Sequence, residues 1–541
     1  MRAEFRDARS RCESARNAFL PPNLIPAVRA SHNVKLKLVS SFRCPADGLT
    51  GVNYLRTERN KHSWRDRFFH SVLVRAAVPI VVVLLATLGC LGQTVASQDK
   101  TSDAKLLAAR ETPFFTSRVL ANGLEVIVFE DHTVPLVSVE YSVKAGAYVE
   151  APSQSGLSHL YEHMYFKSNR AFKNQEDYVK DLGQRGITYN GTTAEESCSE
   201  YFTGLSGNLT TMIHLTRDFA RYPVFDANDL TQEEQVVIGE ADRIDSNPYS
   251  VIQDAMTQHL YHKYPNRKHP IGSRDVVEHA TLEQLRQFQA QYWVPNNSAM
   301  LIAGDVKPED AFKQVEQFFG DWPRGADPFV QNPMVQHPPL TKSEGLILDA
   351  SVQNVIFEIG WQGPSVGTDS ASTYAADVFS FILRQPNSRF QRNLIDTGLA
   401  TAVDLGYFTQ RSVGPINLTL QTTPEKVRAA LQAAQNEIAH FGDGDYFTDQ
   451  ELQNAKVLLS AEDLRSREKP SEYIHTLGFW WAIAGTDYLK SYQHQLDGVS
   501  RADIRKYLQT YILNKPHVGA VLLSSEAQKK VQMKAEEVAG Q

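Results

Sequence analysis

Two histidines and a glutamate lie close together in residues 156–166, the part of the chain whose spacing most clearly points to chemistry. His159, Glu162 and His163 form the pattern His-x-x-Glu-His. On a helix, a spacing of four residues places both imidazoles on one face, one turn apart, where they can share a metal ion such as zinc. A carboxylate beside them can accept a proton from a metal-bound water. The competing interpretation is coincidence in a chain that contains 16 histidines.

The positions around these three residues have the spacing of an amphipathic helix. Apolar and aromatic side chains recur at intervals of three and four, on the side opposite His159, Glu162 and His163. They are Leu157, Leu160, Tyr161, Met164 and Tyr165. The segment is therefore predicted to be a helix that packs through one face and presents possible metal ligands on the other.

A third metal ligand is expected on a helix further along the chain. We predict that this helix begins at Thr231, whose hydroxyl forms a capping box with Glu234. Glu233 and Glu240 share one stripe of it with two aliphatic residues, and burying a carboxylate there without a cation costs several kcal/mol. A zinc ion bound by the two histidines would supply that cation to Glu240. The alternative is that both acids face solvent on a helix weakened by Gly239.

The elements that must position these residues belong to a mixed fold. Asn122-Gly123 between apolar runs predicts a hairpin. Residues 137–143 alternate between apolar and polar side chains, which predicts a strand with one buried and one solvated face. Residues 282–292 and 311–319 have helical spacing. The predicted fold class is therefore α+β.

An internal duplication organises the chain. A short pattern at residues 286–292 recurs at residues 505–511, each time ahead of an apolar strand. This favours two homologous domains of about 220 residues, each a largely antiparallel sheet with helices packed on it. The proline-rich residues 323–343 are predicted to link a catalytic domain at 113–322 to a second, non-catalytic domain at 344–541.

The start of the chain has the composition of an export signal. Residues 1–75 are a basic extension, and an alternative is that translation begins downstream of it. Residues 76–96 contain an uncharged apolar run followed by small residues, which predicts a signal peptide or, alternatively, an uncleaved anchor. The remainder of the chain is therefore expected to be exported, into the periplasm of a bacterium.

Charge and cysteine content argue against binding to nucleic acid and against stabilisation by an internal disulfide. The whole chain carries a net charge of −7, and the part after the basic extension is more acidic still, which argues against binding to nucleic acid. Contact with a membrane is expected only through an uncleaved signal anchor. Cys198 is the only cysteine beyond the signal, so that the exported part cannot form an internal disulfide.

The chain resembles the pitrilysin/insulinase family of zinc peptidases with an inverted motif, in particular its mitochondrial-processing-peptidase-like branch. The resemblance is carried by residues 156–166 and 233–240, with Glu240 at the family's separation from the second histidine. It implies one zinc ion per chain, bound by His159, His163 and Glu240, with Glu162 as general base. It also implies that Glu233 supports catalysis on peptide substrates.

Asn190, Gly191 and Thr192 resemble the family's edge strand, which pairs with the backbone of the substrate. The alternative interpretation is an ordinary loop. Family members enclose a peptide between two clam-like halves, each of two domains. The resemblance therefore implies that this chain is one half of a clam-shaped peptidase.

One departure from the family concerns the last domain. Active single-chain relatives carry an Arg and a Tyr there that bind substrate, and our alignment places Ile395 and Thr401 at these positions. The second domain is therefore not expected to complete the site. We expect a heterodimer whose homologous partner supplies the Arg/Tyr pair, with a homodimer as the less favoured arrangement. The alternative functions are a non-catalytic scaffold and a peptide-binding clamp of the same fold.

Overall fold

A computed structural model describes residues 114–540 of the chain. The basic extension and the signal segment predicted from the sequence lie outside the described residues. In the part that is described, no helix is long and apolar enough to cross a membrane.

The first half of the described chain is built around a six-stranded sheet. Its strands are β1 (Thr116–Val119), β2 (Glu125–Glu130), β3 (Leu136–Val143), β4 (Thr188–Thr193), β5 (Cys198–Leu205) and β6 (Ser298–Gly304). Its helices are α1 (Leu157–Tyr165), α2 (Gln175–Arg185), α3 (Leu209–Arg221), α4 (Ala227–Asp245), α5 (Ser250–Leu260), α6 (Arg274–Glu278), α7 (Leu282–Tyr292), α8 (Pro308–Phe319) and α9 (Pro328–Gln331).

The second half is built around a five-stranded sheet. Its strands are β7 (Glu344–Asp349), β8 (Val355–Gln362), β9 (Ala402–Tyr407), β10 (Pro415–Thr422) and β11 (Val518–Leu523). Its helices are α10 (Val366–Leu383), α11 (Arg389–Gln391, continued by a π-helical turn Arg392–Asp396), α12 (Val427–His440), α13 (Asp449–Ser466), α14 (Pro470–Ile483), α15 (Thr486–Gly498), α16 (Arg501–Tyr511), α17 (Ser525–Val531) and α18 (Ala535–Val538).

Apart from the additional edge strand β1 of the first sheet, the two sheets have the same topology. The first has the strand order β1-β2-β6-β3-β5-β4 and the second has the order β7-β11-β8-β10-β9. In each sheet one pair is parallel, β2 with β6 and β7 with β11, and every other pair is antiparallel. The repeated pattern seen in the sequence lies on α7 before β6 and on α16 before β11. The predicted α+β fold with two homologous sheets is confirmed, whereas the domain boundaries stay a prediction.

The hairpin predicted at the start of the fold is present. β1 pairs with β2 in antiparallel register, and Gly123 in the turn has a φ of +94°. Because an L side chain is strained at that φ, glycine suits this position. The hairpin brings β2 beside β6 in the centre of the sheet.

Each sheet is covered on one face by a helix from the other half. In one core cluster, Leu477 and Trp481 of α14 pack with Ile127 and Leu301 on β2 and β6. In another cluster, residues of α5 pack with β11 of the second sheet. Since each half completes a core of the other, the two halves form one folded unit, which agrees with the single compact unit formed by Thr112–Gln541.

The packing of α14 on the first sheet shows that one prediction from the sequence was wrong. β3 was expected to have a solvated face, but its polar residues Ser138, Glu140 and Ser142 are fully buried. α14 covers them, and a Cβ atom on Gly478 of that helix would lie 2.1 Å from Glu140 Oε1. His475 of α14 provides the charged partner of Glu140, at 2.5 Å. The polar face is therefore buried by a helix that is remote in sequence, with its carboxylate paired.

Candidate metal and catalytic site

Helix α1 is anchored at both its apolar face and its first turn. Its five predicted core residues are all fully buried. Gly156 precedes the helix with a φ of +100°, a left-handed conformation that favours glycine. The buried Glu150 carboxylate accepts hydrogen bonds from the backbone N–H groups of Gly156, at 2.8 Å, and Ser158, at 2.7 Å. These contacts hold the first turn of α1 in place and thereby determine the direction of the His159 side chain.

Helix α4 begins earlier than the sequence predicted. It starts at Ala227, capped by Asp226, whose carboxylate accepts hydrogen bonds from the next turn. Thr231 lies inside the helix and donates its hydroxyl to the carbonyl of Ala227, at 3.1 Å. The predicted capping box at Thr231 and Glu234 is therefore wrong. The predicted stripe is present, since Glu233 is buried and Glu240 is partly buried on one side of α4.

The structure brings His159, His163 and Glu240 together. One ligand atom from each lies within 4.8 Å of the other two. Glu240 Oε2 is 3.5 Å from His159 Nε2 and 3.6 Å from His163 Nε2. Ligands bound at about 2.0–2.2 Å to a tetrahedral zinc ion lie roughly 3.3–3.6 Å apart. The two imidazoles and the carboxylate therefore have the spacing and the donor types that fit such an ion.

Glu233 lies behind this group and holds one of the histidines. His163 Nδ1 donates to Glu233 Oε2 at 2.8 Å, which leaves Nε2 directed at Glu240. A metal-ligating histidine ordinarily donates its second ring nitrogen to a carboxylate, which fixes the ring and its tautomer. The other Glu233 oxygen forms an ion pair with Lys167. Glu233 is therefore placed to orient His163.

The histidines and acids of the site perturb one another strongly. Burial, together with the charge of His163, lowers the pKa of His159 to about 3. Burial also acts to lower the pKa of His163, but hydrogen bonds to Glu233 and Glu240 raise it to about 10. Burial alone would raise the pKa values of both glutamates, yet their contacts with His163 lower them. Before a metal ion binds, His159 is thus neutral with an available lone pair, Glu240 is an anion and His163 is protonated, so that a bound metal ion would have to displace the proton on His163 Nε2.

Glu162 is partly buried beside the three possible ligands, and its Oε2 atom is fully buried. Burial raises the pKa of its carboxyl, while the nearby charge of His163 and a hydrogen bond from Thr193 act in the opposite direction. Its Oε2 atom has no hydrogen-bond partner among the described residues. A buried carboxylate with an unused oxygen is suited to accept a proton from a molecule that enters the site.

The three residues predicted to bind substrate lie on β4, at the edge of the first sheet. In the described part of the chain, this strand is hydrogen-bonded in a ladder only to β5. Gly191 faces Glu162 closely, whereas the exposed Asn190 and Thr192 point to the opposite face of the strand, because side chains alternate along a strand. The structure thus brings the strand backbone to the site, and it does not bring the side chains of Asn190 and Thr192 there.

Sequence reasoning did not identify three residues that support the site. Glu150 caps α1, Thr193 lies close to Glu162 and influences its pKa, and Lys167 pairs with Glu233. Lys167 follows the motif directly, so its proximity was a usable signal. Glu150 and Thr193 act through turns and strand pairing that no short spacing reveals.

The two positions aligned with the family's Arg and Tyr lie in the second half. Ile395 packs partly buried against the second core, and the Thr401 hydroxyl donates to the carbonyl of Gln421 at 3.2 Å. The nearby Arg389 is 3.7 Å from Glu437 and 3.9 Å from Asp443. These contacts bind Arg389 within its own half.

Comparisons with known proteins match most of the described chain. Residues 125–273 match the family described as insulinase (peptidase family M16). Residues 279–459 match the domain described as the peptidase M16 inactive domain. The two adjacent matches cover most of the first half of the fold and the second half as far as residue 459.

Individual relatives agree with this assignment. A Bacillus subtilis protein described as an uncharacterized zinc protease, YmxG, is 23% identical over 356 residues, covering 64% of this chain and 84% of that protein. A Schizosaccharomyces pombe protein described as a mitochondrial-processing peptidase beta subunit is 22% identical over 362 residues, covering 60% and 79%.

A solved structure agrees with the fold. The first half of the periplasmic protease PqqL from Escherichia coli superposes with a TM-score of 0.66 at 15% identity, covering 79% of this chain and 96% of that half. Against the whole of PqqL, this chain covers 50% of the length. The fold is thus that of one half of such a peptidase, and the chain belongs to the insulinase family of peptidases, family M16.

Proposed function

We propose that this chain is a zinc-dependent endopeptidase. The observation that carries the proposal is the convergence of three possible ligand atoms, from His159, His163 and Glu240, beside the partly buried side chain of Glu162. The zinc-protease descriptions of relatives support the same ion. One zinc ion per chain is expected, because the described residues contain one such group.

The proposed chemistry divides between the ion and the protein. A bound zinc ion would lower the pKa of a water molecule and polarise the carbonyl of a peptide bond. Glu162 accepts the proton of that water on its unused oxygen and passes it to the departing amine. Glu233 holds the His163 ring in the orientation that directs Nε2 at the ion.

The proposed substrate is an extended peptide. β4 has a free edge in the described part of the chain, and Gly191 on that strand lies against Glu162. A peptide that adds to this edge as a further strand places its backbone beside the general base. Binding through the backbone of Asn190, Gly191 and Thr192 is expected to tolerate many sequences.

The test combines zinc content with cleavage of a mixed peptide library by the purified chain. Wild-type protein is expected to contain about one zinc ion per chain. Glu162→Gln is expected to keep that zinc and to lose at least about 10²-fold in kcat, the usual contribution of a general base. Glu176→Gln, on the exposed face of α2, is the matched control. A Glu162→Gln variant with wild-type cleavage would overturn the proposed mechanism.

We further propose that the enzyme acts with a homologous partner that supplies an Arg/Tyr pair. Ile395 and Thr401 offer no such side chains, and Arg389 is engaged with Glu437 and Asp443. Co-expression of the chain with its candidate partner is expected to give a heterodimer whose cleavage rate exceeds that of the chain alone. Full activity of the isolated chain as a monomer would contradict this proposal, and full activity as a homodimer would replace it.

A second candidate function is a peptide-binding clamp or scaffold. The match of residues 279–459 to the inactive domain of the family favours it. A clamp would bind peptides with the same affinity in wild type and Glu162→Gln, and neither protein would cleave them. Cleavage that disappears in Glu162→Gln with zinc retained supports the enzyme instead.

Export to the periplasm is part of the proposal. It rests on the apolar run within residues 76–96, and the structural neighbour PqqL is described as periplasmic. Fractionation of a bacterial host that expresses the full chain tests it, with the protein expected in the periplasmic fraction.

A further inference from the structure

A buried lysine extends the line of contacts that ends at the candidate metal site. Lys167 follows the end of α1, and its side chain is 10% exposed. Its ammonium forms an ion pair with Glu233 Oε1, whose side chain is 9% exposed, and donates to Gln175 Oε1 at 2.9 Å. Burying an ammonium group is costly without compensating partners. The position of Lys167 is therefore determined by the carboxylate that it meets.

Glu233 uses its two oxygens for two different cationic or donor groups. Oε1 meets Lys167, and Oε2 accepts from His163 Nδ1 at 2.8 Å. With both oxygens engaged, the carboxylate cannot rotate without breaking a charge-assisted hydrogen bond. The His163 ring is consequently held with Nδ1 toward Glu233 and Nε2 toward Glu240.

We propose that Lys167 is a positioning residue of the metal site, which acts through Glu233 on His163. The inference rests on the proposed function, since it assigns a role toward the zinc ion. Lys167 contacts neither the proposed ligand atoms nor the substrate. It holds the Glu233 carboxylate in place, and that carboxylate holds the ring of His163. Contacts of this outer kind typically change metal affinity or activity by about 10–100-fold when they are removed.

The first test measures zinc affinity of the full chain by competition with a chelator. Lys167→Met removes the charge and keeps most of the stem, and zinc binding is expected to weaken about 10–100-fold. Lys167→Arg keeps a cation at this position and is expected to retain most of the wild-type zinc affinity. Lys456→Met is the matched control, because Lys456 is also buried, in the second half, where it donates to the carbonyl of Asp497 at 2.7 Å. It is expected to leave zinc affinity unchanged.

A double-mutant cycle tests whether Lys167 acts through Glu233. Glu233→Gln alone is expected to weaken zinc binding, and adding Lys167→Met to it is expected to weaken binding no further. Additive losses would overturn the proposed route through Glu233. Wild-type zinc affinity in Lys167→Met would overturn the inference as a whole. Should that variant fail to fold, Lys167→Arg and Lys167→Gln carry the same comparison.

Failure of the role proposed for Lys167 can be distinguished from failure of the proposed zinc peptidase function. A wild-type chain that binds no zinc refutes the zinc peptidase itself, whatever Lys167 does. A wild-type chain that binds zinc tightly, together with Lys167→Met that binds it equally well, refutes only the positioning role. Zinc-loaded protein labelled at histidine adds an independent readout, because the Nδ1–H signal of His163 is expected to shift in Lys167→Met and to stay in Lys456→Met.

Discussion

Gly191 lies so close to Glu162, the proposed general base, that strand β4 and Glu162 leave no room for a side chain between them. A Cβ atom built on Gly191 would be 2.7 Å from Glu162 Cγ and 3.0 Å from its Oε1. Glycine at this position therefore sets the separation between the edge strand β4 and helix α1. The placement of the proposed substrate strand relative to the proposed base follows from this one contact.

Gly191→Ala is predicted to reduce catalysis and to leave zinc binding intact. The added methyl group displaces the Glu162 side chain, and misplacement of a catalytic group by about 1 Å can cost roughly 10²-fold in rate. The expected result is a fall of kcat of about 10–100-fold at an unchanged zinc content. Steady-state kinetics with a peptide substrate, alongside metal analysis, measure it.

Gly183→Ala is the control for this prediction. Gly183 lies within α2, and a Cβ atom there would meet nothing within 4 Å. Its kcat is expected to equal that of wild type. If Gly191→Ala also keeps the wild-type kcat, Glu162 is not constrained by β4 in the active enzyme.

The proximity of the candidate metal ligands was largely predictable from the sequence, because most of the information is local. His159, Glu162 and His163 lie within one helix, whose periodicity determines their common face. The assignment of Glu240 as a ligand depended both on the stripe on α4 and on the family resemblance. The predicted start of α4, at Thr231, lies four residues after its actual start at Ala227. Asp226 and Thr231 are both acceptable capping residues, and Asp226 caps the helix because its carboxylate accepts from the backbone of the next turn.

The covering of β3 could not be predicted in the same way. Ser138, Glu140 and Ser142 have the composition of a solvated strand face, and although Ser142 donates to Glu140 Oε1 at 2.7 Å, nothing nearby in the sequence supplies a charged partner for Glu140. That partner is His475, 335 residues away along the chain. Alternation of side chains indicates which residues share a face, but it does not reveal whether water or a remote helix covers that face.

Gly478→Ala is predicted to destabilise the protein. The added Cβ would lie 2.1 Å from Glu140 Oε1 and 2.6 Å from Ser142 Oγ, in a buried contact between α14 and β3. Overpacking of this kind costs typically about 1–3 kcal/mol. Denaturant unfolding measures it. Gly498→Ala, at the end of α15 with nothing within 4 Å, is the control and is expected to keep at least the wild-type stability, because alanine is the better helix former. Equal stability of both variants would show that α14 does not pack this closely on the sheet.

The His475–Glu140 ion pair is predicted to make stability depend on pH. Burial acts to lower the pKa of His475, but the charge and hydrogen bond of Glu140 raise it above 6.5. A raised pKa in the folded state means that this contribution is fully present below about pH 6.5. It is lost as pH rises through the raised value. The groups around the ring are Glu140 on β3, Glu472 on its own helix and Tyr201 on β5.

The measurement compares the free energy of unfolding of wild type and His475→Gln across pH 5.5–9. The difference between them is expected to be largest at the acidic end and to shrink toward the alkaline end. His494→Gln, at an exposed position of α15, is the control and is expected to follow wild type throughout. A difference that is constant with pH, or that grows toward the alkaline end, would contradict the assigned ionisation.

Residues 113–322 are predicted not to fold by themselves, although they contain every residue of the candidate site. The face of β2 and β6 that carries Ile127 and Leu301 is covered by Leu477 and Trp481 of the second half. Without α14 that apolar face is exposed to water, and Glu140 loses its partner His475.

The isolated fragment 113–322 is expected to aggregate or to unfold without a cooperative transition, as judged by circular dichroism and binding of a hydrophobic dye. Co-expression with residues 344–541 is expected to restore a cooperative transition, with the full chain as reference. A soluble, cooperatively folded fragment that binds zinc would instead establish the first half as an autonomous domain.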